Sequence, residues 1–169
     1  IDPKDLYVVS VIPCTAKKFE AGRPELAVND IPDVDMALTT RELALMIKEA
    51  GIAFNRLPGE EFDDPFGIAT GAGKIFGATG GVMEAALRTA AHMLDGTNEK
   101  IDFMDVRGVP GIKEATYRIA GKEVDVCVAS GLGNARKVVE MVKSGEKNYL
   151  FIEIMSCPGG CVNGGGAPI

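Results

Sequence analysis

The chain has 169 residues, 46% of them apolar and 25% charged, with a net charge of −6 at pH 7. That length and balance suit one globular domain with a real core. The negative charge gives nucleic-acid binding no electrostatic support, and no apolar run approaches the ~20 residues that span a bilayer.

The first predicted element is a strand over Leu6–Ile12, a continuous valine-rich run expected to be buried, which leads into Pro13-Cys14. Thr39 and Glu42 have the spacing of a capping box and open a helix through Ala50, with Gly51 as its stop. Asn55–Gly81 has little periodicity and seven glycines, and a connection of that length is expected to be functional. Val82–Leu94 reads as a helix with Glu84, Arg88 and His92 along one polar face. Ile101–Val106 and Tyr117–Ala120 are predicted short strands, and Val124–Ala129 a buried one. The chain then turns through Ser130-Gly131-Leu132-Gly133 into a helix over Asn134–Lys143, stopped near Gly145. The last strand, Tyr149–Met155, is apolar apart from Glu153.

Strands alternating with helices predict a layered α/β fold, with mostly parallel sheets flanked by helices. Both main cysteine motifs directly follow a strand, where ligands gather in such sheets. No repeat, low-complexity linker or internal domain boundary is evident. A start at Ile1 and a glycine-rich stop over 164–169 lead us to read residues 1–169 as an internal fragment of a larger domain.

Four cysteines are an even number, but their spacing does not suit the disulfide framework of a small secreted chain. In Cys157-Pro158-Gly159-Gly160-Cys161, a helical turn would put both thiols on one side. The two glycines would let the backbone approach a bulky inorganic body, and thiolates are natural ligands of iron–sulfur clusters. A local disulfide or free thiols is the plainer alternative. Cys14 is followed at three and four positions by Lys17 and Lys18, which would favour a thiolate or an anionic ligand. Cys127, among valine and alanine, is expected to be core, and His92 a surface imidazole rather than a zinc ligand. Three cysteines remain as candidate ligands, where a cubane cluster usually takes four. Gly73-Lys74 lacks the Ser/Thr of a phosphate loop, and Gly131-Leu132-Gly133 lacks the third glycine of a dinucleotide fingerprint.

Three stretches together resemble the [FeFe] (iron-only) hydrogenases. They are Pro13-Cys14-Thr15-Ala16-Lys17-Lys18-Phe19-Glu20, Phe76-Gly77-Ala78-Thr79-Gly80-Gly81-Val82-Met83-Glu84-Ala85-Ala86, and Met155 through Gly166. Val106-Arg107-Gly108 and Ser130–Ala135 are also similar, especially to bacterial multi-subunit, pyridine-nucleotide-linked members. The resemblance implies the H-cluster, a [4Fe-4S] cubane joined through a cysteine to a di-iron unit with carbon monoxide, cyanide and dithiolate ligands. It implies that Cys14 and Cys157 hold the cubane and that Cys161 bridges. Lys17 would hydrogen-bond a cyanide as the residue nearest catalysis. Phe76 and Met155 would line the di-iron pocket, and Thr15, Ala16 and Gly77 would supply backbone and packing.

The implied activity is reversible formation of dihydrogen from two protons and two electrons. The implied partners are an electron carrier (ferredoxin or an NAD(P)-linked flavoprotein subunit), further segments of its own polypeptide and maturation proteins, and the implied location is cytoplasmic. The family's remaining cluster cysteine and its proton-delivering cysteine have no counterpart here, so these residues alone are expected to be inactive. Ile12 stands where the family commonly has methionine, and Ala167 where it has glutamine. A Narf-like iron–sulfur assembly protein and a sensory hydrogenase are the alternative readings.

Overall fold

The computed structural model describes residues 1–61, 71–97, 104–105 and 110–168. They fall into two compact units, one of Ile1–Phe62 with Val162–Ile169 and one of Asp63–Cys161. The chain leaves the first unit and returns to it at its end, so no single linker marks the division.

In the first unit β1 (Val9–Val11) pairs in parallel with β4 (Met36–Leu38). Between them lie α1 (Ala16–Ala21) and a hairpin of β2 (Ala27–Val28) and β3 (Ile31–Pro32). That hairpin turns on Asn29 and Asp30, at φ 53° and 61°, the left-handed region that these two residue types tolerate best after glycine. Then comes α2 (Thr40–Glu49). Its capping box is complete: Glu42 N–H donates to Thr39 Oγ1 at 3.2 Å, and Thr39 N–H donates to Glu42 Oε2 at 2.8 Å. Lys18 reaches across from α1 to Glu42 at 2.8 Å. The Lys18 ammonium and the Thr39 donors together hold the Glu42 carboxyl well down, to about 2.

The expected burial of the first strand is not observed. Val9 and Val11 are 44% and 47% exposed. A two-stranded sheet has little to cover it, and among the described residues of this unit only Ala37, Thr39, Gly164 and Gly166 are buried.

The second unit carries the core. Its sheet runs in the order β5 (Met104–Asp105), β6 (Ile112–Ile119), β7 (Lys122–Ser130), β8 (Phe151–Met155). Only the β7–β8 pair in it is parallel. The long β6–β7 hairpin replaces the two short predicted strands around residues 117–129. It turns on Ala120 and Gly121, both at positive φ (47° and 76°), the pattern of a two-residue hairpin turn. Alanine rarely adopts that conformation, so the sequence did not announce the turn. Of the strand expected at Ile101–Val106, only Met104–Asp105 lies within the described residues, and Val106-Arg107-Gly108 lies outside them.

One face of the sheet packs on α4 (Gly81–Asp95) through Met83, Leu87, Ala91, Ala115, Tyr117, Val126 and Val128. A second cluster joins Ile112, Cys127, Ala129 and Val138, the last from α5 (Leu132–Lys143). Alternate residues of β7 therefore point to opposite clusters, as the period of a strand requires. Glu84 and Arg88 pair at 3.2 Å on the polar side of α4, and His92 is exposed, as expected. The preceding α3 (Gly71–Ile75) was not foreseen within the aperiodic stretch. Among the described residues no helix is long and apolar enough to cross a membrane.

Candidate metal-cluster site

In the first unit β1 delivers Cys14 to a turn just beyond its end, where Ile12 N–H still bonds Leu38 O at 2.9 Å. Cys14 is half-buried and free. The short helix α1 begins at Ala16 and carries Lys17, which pairs with Glu20. Lys17 and Ile12 line a cavity of about 350 Å³ together with Ser10, Asp33 and Ala37.

The terminal glycines close on this turn. Gly166 N–H donates to Pro13 O at 3.1 Å, and Arg41 bonds the carbonyl of Gly165 at 2.6 Å. A Cβ on Gly166 would lie 2.4 Å from Thr39 Cγ2, and one on Gly165 would rest 3.5 Å from the Thr15 side chain. Gly166 is thus required by close approach.

In the second unit β8 ends at Met155, which is buried, and its carbonyl accepts from Gly131 N–H at 2.7 Å. The next residues do not form the helical turn that would set both thiols on one side. Gly160 N–H donates to Cys157 O at 3.0 Å across a four-residue turn, with Pro158 second and Gly159 third at φ 81°. Proline there and a left-handed glycine after it are the signature of a type II turn. Gly160 follows at φ 103°, and Cys161 opens a short 3-10 helix.

This turn interlocks with the one before α4. Thr79 N–H donates to Gly159 O at 3.2 Å. A Cβ on Gly160 would lie 2.4 Å from Gly77 O and 2.7 Å from Thr79 N. Phe76, at the start of that loop, is 47% exposed. Glu153 anchors the loop from below: its two oxygens accept from Gly80 N–H at 2.6 Å and Met83 N–H at 2.8 Å, at the amino end of α4. A carboxylate there also faces the positive end of the helix dipole.

The predicted residues therefore form two sets. Cys14, Thr15, Ala16 and Lys17 belong to the first unit, and Phe76, Gly77, Met155, Cys157 and Cys161 to the second. All four cysteines are free. Among the described residues no three His, Cys, Asp or Glu side chains are gathered as ligands to one metal ion. Cluster cysteines each bind a different iron and do not have to converge on one point. Glu153, Thr79 and the Gly166–Thr39 contact were not singled out from the sequence. The only signal for Glu153 was an acid inside an apolar strand.

The residues present fit a thiolate-held cluster. The donors are soft, half-buried thiols in turns whose glycines strip side chains from the approach. Thr79 Oγ1 is buried and has no hydrogen-bond partner, alone in this among the described side-chain oxygens and nitrogens. Leaving such a hydroxyl unpaired costs about 1–3 kcal/mol.

Cys127 behaves differently. It is fully buried, and desolvation, reinforced by the nearby Glu114 carboxylate, pushes its thiol up to about 11. Tyr149, which donates to Glu114, is also pushed up, first by burial. A shift of that size cuts the thiolate fraction at neutral pH roughly a hundredfold. In metal-free protein, maleimide labelling followed by peptide mass spectrometry is expected to modify Cys14, Cys157 and Cys161 well before Cys127. Equal labelling of all four would contradict the assignment of Cys127 to the core.

An α/β scaffold presenting free thiols in glycine-lined turns suits a protein of the iron–sulfur class. The chain belongs to the iron-only hydrogenase family: residues 1–165 match the family model for the iron only hydrogenase large subunit, C-terminal domain. It is 53% identical over 99% of its length to the NADP-reducing hydrogenase subunit HndD of Solidesulfovibrio fructosivorans, covering 29% of that protein. It is 52% identical, again over 99%, to the periplasmic [Fe] hydrogenase large subunit of Nitratidesulfovibrio vulgaris, covering 40% of it. Protein NAR1 of Arabidopsis thaliana is more distant, at 33% identity over 96% of the chain and 37% of that protein. The apo [FeFe]-hydrogenase HydA1 of Chlamydomonas reinhardtii superposes with a TM-score of 0.76 at 40% identity, over all of this chain and 50% of that one.

Proposed function

We propose that this chain is an internal part of the catalytic domain of an iron-only hydrogenase, and that Cys14, Cys157 and Cys161 are three of the thiolates holding its H-cluster. When bound, that group (a [4Fe-4S] cubane bridged to a di-iron subcluster with carbon monoxide, cyanide and dithiolate ligands) supplies the interconversion of two protons and two electrons with dihydrogen. The observation that carries the proposal is the interlock of the Cys157–Cys161 turn with the Phe76–Thr79 turn, in which Gly160 has no room for a side chain. Two of the three motifs are thereby built into one rigid wall.

Cys14 and Cys157 would hold the cubane in this reading, and Cys161 would be the cysteine shared with the di-iron unit. Lys17 brings a cation toward an anionic group and keeps Glu20 as its partner. Met155 and Phe76 exclude water from the pocket, while Thr15, Ala16 and Gly77 pack around it. Electrons reach the site from a ferredoxin or an NAD(P)-linked flavoprotein subunit, in line with the kinship to a subunit of an NADP-reducing enzyme. Maturation proteins install the di-iron unit. A cytoplasmic location is part of the same proposal, and the periplasmic relative marks the alternative.

The test is infrared spectroscopy of the complete large subunit carrying this chain, after maturation. Bands from bound carbon monoxide and cyanide are expected, and Lys17→Ala should shift a cyanide band. A cubane without such bands would instead support a Narf-like adaptor. Absence of iron from the mature protein, or cluster content unchanged by Cys157→Ser, would overturn the cluster assignment.

A further inference from the structure

Helix α2 has ten residues, and not one of them is buried. A helix that short is marginal in water without packing against its apolar face. Leu43, Ala44 and Ile47 form such a face, at the three- and four-residue spacing of one side of a helix. Gly51, at φ 70°, turns the chain back after α2, and Ile52 N–H bonds Ile47 O at 3.2 Å. Ile52 and Phe54, 46% and 64% exposed, line with that face a groove of about 770 Å³. The charged residues lining it are Lys48, from α2, and Arg56, from the 3-10 turn Phe54–Arg56. Neither has a carboxylate partner among the described residues. The groove is thus apolar along its length and positive at its rim.

We propose that this groove is the seat of an apolar segment, bearing one or more carboxylates, from the part of the same polypeptide outside residues 1–169. The inference rests on reading the chain as part of a larger domain, and not on the cluster. Permanently covered interfaces are more hydrophobic than transient ones, and electron-transfer encounters are small, so the apolar floor favours a resident occupant over a passing electron carrier. The chain spans 29% to 50% of the length of the relatives described above. A parent polypeptide of their size therefore holds at least as many residues again from which the segment can come. Its apolar side chains cover Leu43, Ile47 and Phe54, and its carboxylates meet Lys48 and Arg56.

The experiment uses the complete large subunit carrying this chain and needs no measurement of activity. Zero-length carbodiimide cross-linking with peptide mass spectrometry is expected to join the Lys48 amine to an aspartate or glutamate outside residues 1–169 of the same molecule. The thiol of Phe54→Cys is expected to react with maleimide at least about tenfold more slowly in the folded subunit than in urea. If that variant does not fold, the cross-link in the unsubstituted protein decides alone. Links from Lys48 only to a second copy, to a separate electron-carrier subunit or to residues within 1–169 would overturn the proposal and name the true occupant. No link, together with labelling as fast as in urea, would overturn it by showing an open surface. Iron content keeps the two readings apart: a subunit that shows the link but holds no iron loses the cluster assignment and keeps this inference.

Discussion

Glu153→Ala is expected to destabilise the second unit by about 2–5 kcal/mol, read as a fall in the urea midpoint at unchanged slope. The carboxylate is 7% exposed, and both of its oxygens are engaged, by Gly80 N–H and Met83 N–H. Hydrogen bonds to a charged acceptor contribute about 1.5–3 kcal/mol each, and a donor left buried without one costs about 1–3 kcal/mol. The two bonds share one side chain, so their values do not simply add. Glu153→Gln separates charge from shape. An amide offers one oxygen where two are needed, and its NH₂ would face a second N–H donor. It should recover only part of the loss. A change below about 0.5 kcal/mol in the alanine protein would mean that the amino end of α4 finds other acceptors.

Glu153 stands out in the sequence as an acid inside an apolar strand, but its partners 70 and 73 residues away do not. The helices were legible because their signals are local: Thr39 and Glu42 meet across one turn, and the polar face of α4 repeats every four residues. The buried strand around Cys127 was legible from its valines, and its thiol lies in the core as its neighbours imply. The first strand misled for the opposite reason. Apolar composition measures a tendency to be covered, and the covering layer is set by partners that a run of valines does not name. The cysteine turns were legible as motifs, yet their geometry was not. A four-residue spacing suited a helical turn, and what decided otherwise was Pro158 before a left-handed Gly159. Contacts between distant segments, such as Glu153 with Gly80 or Gly166 with Thr39, have no periodic signature at all.

Gly160→Ala is expected to be among the most damaging single substitutions in the chain, and Gly133→Ala to act in the opposite direction. At Gly160 two costs combine. A backbone at φ 103° is one that a side chain adopts only under strain, worth about 1–3 kcal/mol. The added methyl would lie 2.4 Å from Gly77 O and 2.8 Å from Ala78 C, which are backbone atoms with no rotamer to give way. Overpacking of that kind costs about 1–3 kcal/mol more. The strain can be relieved only by separating the two turns, which breaks the Thr79–Gly159 bond and displaces Cys157 and Cys161. Iron content of the complete large subunit should therefore fall together with stability. Gly133, in the first turn of α5, has nothing within 4 Å of an added Cβ and no positive φ. Alanine there should stabilise by about 0.4–1 kcal/mol, because it restricts the unfolded chain and strains nothing. Denaturant titration of the two variants side by side, with iron assays on both, checks the pair. Parent-like stability and full iron in the Gly160 variant would show that the two turns are not locked together, and the proposed wall behind the cluster would go with them.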